Sequence, residues 1–382
     1  MNVAFYAPMK PPDHAVPSGD RAIARALIAA LQGCGHDVHV ASTLRTFDRD
    51  GDAAVQAQHA DEGAREAARL VAVYAARPPD LWLTYHLHHK APDFVGPRVT
   101  RALGIAYVVT EASIAPPQAN GRWARGYEAA YDAIRGADAV VFVNPADVRE
   151  VRNARAPGAL AFPVVPFIDT RAFTPRSEAV SSSERPRIAT VAMMRGGAKL
   201  ASYRLLAVAL LSLRELAFDV VIVGDGPAHA EIAALFAPLG ERVSFVGALG
   251  EAGVAATLRG CDLFAWPAID EAIGIALLEA QASGLPVVAG ASPGVAGIVA
   301  DARTGFLTPA NDASAFAAAI RELVVDSRLR AAMGAAAARH ARTHHDLRAG
   351  GAQLDAILRE VVSAPRRPAP PPRPPGLAAT LP

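Results

Sequence analysis

The stretch DEAIGIALLEAQASGLPVV, residues 270–288, sets two glutamates, Glu271 and Glu279, at the ends of a run without charge. Ser283-Gly284-Leu285-Pro286 and an apolar segment follow. The spacing predicts a helix that starts near Ile273, stops at the Gly-Leu-Pro turn and hands over to a strand at Val287–Ala289. Just upstream, Leu263–Ala265 reads as a strand and Trp266-Pro267-Ala268-Ile269-Asp270-Glu271 as the loop after it. Strand, loop, helix, turn, strand is a βαβ unit, and a βαβ unit implies a parallel sheet.

Working outward, the same alternation covers most of the chain. Toward the C-terminal side of the middle, Ile188–Ala192, Val220–Val223 and Val243–Val246 read as further strands separated by helices. In the first half, strands are expected at Val3–Ala7, Asp37–Ala41, Leu81–His86, Ile105–Thr110 and Ala139–Val143, with helices between them. The polar segment from Thr174 to Pro186, with its serine run, reads as a linker. The expected organisation is two Rossmann-like α/β domains, 1–175 and 187–345, facing a central cleft, with a last helix at 346–363 and a proline-rich, disordered tail at 364–382.

Composition narrows the function. The 382 residues are 52% apolar with a formal charge of +1, a balance that argues against a nucleic-acid partner. Two cysteines, Cys34 and Cys261, far apart in sequence, make neither a disulfide framework nor a zinc site. The start of the chain reads as a strand, without the basic and apolar regions of a signal peptide. The uncharged stretch Ala280–Ala300 is broken by Gly284, Pro286, Gly290 and Pro293-Gly294, so no transmembrane segment is expected. A cytoplasmic protein is the expectation, with contact at the inner face of a membrane left open.

Several strand ends carry candidate chemistry. Arg195 and Lys199 bracket Gly196-Gly197 where a strand turns into a helix, a pattern suited to a diphosphate. Gly224-Asp225-Gly226-Pro227 lacks the third glycine of a dinucleotide fingerprint and reads as a structural turn. A carboxylate beside a diphosphate repels it but accepts two hydrogen bonds from a diol. A diphosphate flanked by two sugars therefore accounts for the cations, Glu271 and Glu279 together, with one glutamate on a ribose and the other on a hexose. Glu271 as a charge at the start of its helix is the plainer alternative. His86, His88 and His89 follow a strand; a metal lacks an acidic or cysteine partner by spacing, and substrate contact by one histidine is preferred. Asp48, Asp50 and Asp52 read as a solvated loop.

Residues 187 to about 325 resemble the donor domain of family 4 glycosyltransferases, which have the GT-B fold. The resemblance rests on the order and spacing of Arg195/Lys199, Gly224–Pro227, Glu271 and Glu279, Ala280–Val288 and Thr304–Pro309 before Asp312. It implies a retaining transfer from a nucleotide-diphosphate sugar, without a metal or other cofactor, to a glycan, lipid-linked or small-molecule acceptor. It implies that Arg195 and Lys199 hold the diphosphate, Glu271 the donor sugar and Glu279 the ribose, with Ala272, Ile273, Gly274 and Ile275 alongside. The loop Gly247-Ala248-Leu249 would lie against the base. The first half is similar more loosely, through Pro17–Arg21, where Gly19 would approach phosphate or acceptor, and through Gly35–Val38. His86 and Glu111 are the acceptor-side candidates, and the final helix would return to the first domain. The chain departs from the family at Glu111, where a histidine is common, at Pro166-Phe167 in place of Asn-Gly, and at Gly297 in place of a glutamate. These changes bear on sugar and acceptor rather than on reaction class. Two alternatives stand beside this reading. An epimerase or hydrolase on the same fold would need no acceptor, and a non-catalytic nucleotide-sugar binding protein would never turn over.

Overall fold

The structure, a computed structural model, describes residues 1–16, 18–144, 147–176 and 185–365. Of the linker expected from Thr174 to Pro186, residues 177–184 lie outside the described residues, as does the tail from 366 onward. The chain divides into two compact units, Met1–Val164 with the described residues from Gly350, and Val165–Ala349. Residues 165–175 thus group with the second unit, where Ile168 bridges Asp346.

The first unit holds a parallel sheet of β1 (Asn2–Tyr6), β2 (Asp37–Ser42), β3 (Leu81–His88), β4 (Ala106–Ser113), β5 (Ala139–Phe142) and β6 (Leu160–Pro163). Its order is β2-β1-β3-β4-β5-β6. The helices are α1 (Gly19–Gly33), α2 (Ala53–Tyr74), α3 (Gly96–Leu103), α4 (Ala124–Gly136) and α5 (Val148–Ala154). Ser18 caps α1 by accepting from Arg21 N, and Asp52 caps α2 by accepting from Ala54 N and Val55 N. Asp48, expected in solvent, is buried instead; its carboxylate accepts from Asp50 N, Gly51 N and Gln56 Nε2, which closes the turn before α2.

The second unit repeats the plan. Its strands are β7 (Arg187–Val191), β8 (Asp219–Val223), β9 (Val243–Phe245), β10 (Leu263–Trp266), β11 (Val287–Gly290) and β12 (Gly305–Thr308), in the order β12-β11-β10-β7-β8-β9. Helices α6 (Ala198–Ser212), α7 (His229–Phe236), α8 (Glu251–Arg259), α9 (Ile275–Ala282), α10 (Pro293–Ala296), α11 (Ala313–Val325) and α12 (Ser327–His344) flank it. Leu263, Phe264, Ala265, Val287, Val288 and Ala289 have no exposed surface. Unbroken apolar runs, rather than alternating ones, are what a parallel sheet covered on both faces requires.

The last helix, α13 (Leu347–Ser363), packs on α1 within the first unit. A side chain at Gly351 would meet Ala30 O at 2.8 Å, so the close approach of the two helices depends on that glycine. Asp355 seals the contact with a 2.7 Å hydrogen bond between its Oδ1 and His36 Nε2.

Candidate active site

In an open parallel sheet, ligands gather at the carboxyl ends of the strands where the chain reverses its direction of travel across the sheet. In the second unit that point lies between β7 and β10, which are neighbours in space. Arg195 and Lys199 follow β7, and Glu271 follows β10. The sequence-predicted residues therefore sit where the topology says a ligand belongs.

The loop after β7 is braced by the turn after β8. Met194 N donates to Asp225 O at 2.9 Å, and Ala228 N donates to Met194 O at 2.9 Å. This gives Gly224–Pro227 a structural task. Gly197, with φ of 72°, caps the start of α6 in a backbone region that other residues seldom adopt. Lys199 Nζ lies 2.5 Å from Glu271 Oε2, and both side chains are about one-fifth exposed or less. Trp266, at the end of β10, donates its Nε1–H to the same oxygen at 3.2 Å. The Lys199 ammonium also lies 5.4 Å from the Trp266 ring centre. Glu271 is thus held between a cation and an indole and is not a helix-capping charge. Arg195 is exposed on the same loop.

The loop that carries Glu271 is strained. Ala268 and Asp270 have φ of 53° and 49°, a region costing non-glycine residues on the order of 1 kcal/mol or more each. Ile269 N donating to Ser202 Oγ on α6, and Ser292 Oγ donating to the Glu271 carbonyl, hold it in place. The helix beyond begins later than the sequence suggests. Gly274, left-handed with φ of 72°, delays α9 to Ile275, so Glu279 lies one turn inside it rather than two. Ala272 is exposed and Ile273 buried before that cap. Burial pushes the Glu279 carboxyl up to about 8, and the charge of Glu251 at the start of α8 adds to the rise. Leu249, two residues before Glu251, is exposed.

In the first unit the reversal point lies between β1 and β3. The strand β3 runs on to His88, but His86 and, opposite it on β4, Glu111 both adopt φ of 58°. The left-handed kink breaks the alternation that would have put His86 and His88 on one face. His86 Nδ1 reaches Asp20 Oδ1 on α1 at 2.9 Å, whereas the His88 ring lies tilted against that of His89 with ring centres 3.9 Å apart. Burial pushes the His86 imidazole down, but Asp20, Glu111 and Asp147 outweigh it and the net shift is upward. Burial pushes the Glu111 carboxyl up to about 7, against the lowering effect of His86. Its Oε2 is buried with no hydrogen-bond partner among the described residues. Gly19 opens α1 one residue before Asp20, with free space around the position of a side chain. Among the described residues no group of three His, Cys, Asp or Glu is arranged to hold a metal ion. No described helix is long and apolar enough to cross a membrane.

Trp266 and Asp20 escaped the sequence reading. Trp266 is legible only as a tryptophan at a strand end five residues before Glu271. Asp20 has no local signal, because its partner is sixty-odd residues away in the chain.

Two six-stranded parallel sheets with flanking helices define the GT-B fold, and solved structures agree. Sucrose-phosphate synthase from Thermosynechococcus elongatus matches 94% of this chain and 98% of its own at a TM-score of 0.73 and 18% identity. Anabaena Alr3699/HepE, solved with UDP and glucose, matches 94% of this chain and all of its own at a TM-score of 0.69 and 17% identity. At such identities the likeness is one of fold.

Residues 178–340 match the family described as glycosyl transferases group 1. The D-inositol 3-phosphate glycosyltransferase of Streptomyces avermitilis is 37% identical over 36% of this chain and 32% of its own length. The GDP-mannose-dependent alpha-(1-6)-phosphatidylinositol monomannoside mannosyltransferase of Mycolicibacterium smegmatis is 31% identical over 58% and 62%. The matches thus span between a third and three-fifths of these relatives. Over residues 178–340 the chain is similar to the glycosyl transferases group 1, and both units together have the GT-B fold.

Proposed function

We propose that this protein is a retaining glycosyltransferase that moves a sugar from a nucleotide-diphosphate sugar to an acceptor hydroxyl, without a metal. The carrying observation is the Lys199–Glu271–Trp266 cluster at the reversal point of the second sheet. In this reading the incoming diphosphate draws Lys199 away from Glu271. The freed carboxylate, still anchored by Trp266, accepts hydrogen bonds from the donor sugar. Arg195 adds a second cation, and Ala272–Ile275 line the sugar beside the start of α9. Glu279 accepts the ribose hydroxyls, and Gly247–Leu249 lie against the base.

As the bond from the anomeric carbon to phosphate breaks, negative charge grows on the leaving diphosphate. Arg195 and Lys199 meet it with charge already in place, the most effective form of transition-state stabilisation. Same-face attack, with the leaving phosphate taking the acceptor proton, accounts for retention. On the first unit, Glu111 and His86 orient the acceptor hydroxyl, and Gly19 leaves its backbone open to a ligand. The acceptors named for the two relatives are a phosphorylated inositol and a phosphatidylinositol mannoside, and a polyol of that kind is the acceptor class proposed here. A soluble enzyme that meets a lipid-borne acceptor at the inner membrane face fits the reading.

The test is product analysis by NMR after incubation with UDP-, GDP- and ADP-sugars and a panel of polyol acceptors, with and without chelator. An α-linked product from an α-linked donor, formed equally with chelator, supports the reading. Donor cleavage at the same rate without acceptor points to a hydrolase instead.

A further inference from the structure

The loop between β1 and α1 is gripped by arginines. Arg21 Nε and Arg25 Nε, both on α1, donate to Pro12 O at 3.3 and 2.8 Å. Arg45, beyond β2, donates from Nε to Met9 O at 3.0 Å while its guanidinium lies 4.8 Å over the Phe47 ring. Three guanidiniums thus converge on the carbonyls of a four-residue segment, Met9–Pro12, which itself carries Lys10. Among the described residues the terminal nitrogens of these three arginines donate to nothing else.

Four cations gathered around so short a loop repel one another. Burial lowers the Lys10 ammonium; Asp20 opposes this, while Arg45 and Arg21 lower it further, which records their proximity. The carboxylates at hand are few. Asp20 is engaged by His86, and Asp13 is exposed on the far side of Pro12 in sequence. A cluster of cations with so little counter-charge is a binding feature rather than a scaffold, because one arginine suffices to hold a carbonyl. Its place matters too. The loop leaves β1 and His86 lies near the carboxyl end of β3, so both lie at the same reversal point of the sheet, with Asp20 of α1 against His86.

We propose that Lys10, Arg21, Arg25 and Arg45 form a subsite for a phosphate group carried by the acceptor, next to the His86–Glu111 pair that orients its hydroxyl. Forked guanidiniums match the several oxygens of a phosphate, and a lone carboxylate would leave most of them unused. A flat anionic membrane calls for a broad basic face instead. Helix α2, with Asp61, Glu62 and Glu66 against Arg65 and Arg69, carries no basic surplus, so the surplus is confined to the surroundings of this loop. The inference rests on the first unit being the acceptor side.

Isothermal titration of the full-length protein decides it, using inorganic phosphate, myo-inositol 1-phosphate and myo-inositol as probes, with UDP as a separate ligand. Vesicles of phosphatidylcholine with and without phosphatidylinositol form a second arm. The phosphorylated polyol is expected to bind at least tenfold more tightly than myo-inositol. Lys10→Met is expected to weaken it by about tenfold, the loss of one charge-assisted contact, and to leave UDP binding unchanged. Lys10 makes no hydrogen bond within the described fold, so this variant keeps its melting temperature even if Arg45→Gln does not. Binding of soluble phosphate assigns the site to a free metabolite. Binding only to vesicles with phosphatidylinositol assigns the same site to a lipid headgroup. Equal affinity for myo-inositol and its phosphate, no binding in either arm, or a Lys10→Met protein that binds phosphate as before, overturns the proposal. A failure of UDP to bind would count against the donor reading alone.

Discussion

The two sheets put their chemistry at the same topological place and make different use of it. In the second unit the reversal point between β7 and β10 holds a preformed ion pair, Lys199 with Glu271, braced by Trp266. In the first, beside the point between β1 and β3, β3 carries an imidazole, His86, and its neighbour β4 a half-buried acid, Glu111, both on strained backbone. Fixed charge suits a group that leaves with negative charge. A carboxyl pushed up to about 7 beside an imidazole suits a hydroxyl that loses a proton. The fold says where a ligand goes, and under the proposed function the side chains suit each unit to one half of a transfer reaction.

The sharpest break in that comparison comes from Lys199→Ala. It removes a charge from the leaving group and leaves Glu271 unpaired, so turnover should fall by about a thousandfold with the fold intact by circular dichroism. A loss under tenfold would mean the ion pair is only structural. Arg195→Ala, on the exposed side of the same loop, should cost on the order of a hundredfold.

Trp266→Phe keeps an aromatic ring and removes one donor to Glu271. A drop in kcat of about tenfold, with donor KM little changed, fits the loss of a hydrogen bond to a charged group. Glu111→Gln addresses the other unit. With its carboxyl up to about 7, the wild-type rate should climb as pH rises through that value and the carboxylate forms. The variant should lose that rise in kcat/KM and keep its affinity for UDP. A profile that keeps its shape would remove Glu111 from the acceptor side.

The smallest effect concerns Glu279, whose carboxyl lies near 8 in the fold against an ordinary 4.5. The folded state holds this proton more tightly than the unfolded chain. Its contribution to stability is therefore intact below about pH 4.5 and is lost as pH rises toward 8. Glu279→Gln should accordingly flatten the fall in melting temperature over that range. A ribose diol bound to the carboxylate favours the charged form, so affinity for a nucleotide sugar should increase from pH 6 toward about 8 in the wild type only.

Much of the second unit was legible because its signals are local. Unbroken apolar runs mark strands buried on both faces, and Glu271, Glu279 and the Gly196-Gly197 turn lie within short, ordered spacings. The strand Gly305–Thr308 was read as a motif without being read as a strand, since four residues give no periodicity. The late start of α9 followed from a single left-handed glycine, a backbone choice that composition does not announce. The first unit was less legible. Leu160–Pro163 carries a proline and is partly exposed, so it did not stand out as a strand at the sheet edge. The ties from Asp20 to His86 and from Arg45 to Met9 join distant segments, and the kinks at His86 and Glu111 fall on residues that favour ordinary strand geometry.

The most direct test of the central claim is a thermal-shift titration of nucleoside diphosphates and their sugars against wild type, Lys199→Ala and Glu279→Ala, with and without chelator. A ligand of the folded state raises the melting temperature by mass action. The account predicts a clear shift with one nucleotide family, unchanged by chelator, reduced in Lys199→Ala and lost in Glu279→Ala. An equal shift in all three proteins would put the nucleotide somewhere other than the reversal point of the second sheet, and the assignment of Lys199, Glu271 and Glu279 would fall with it.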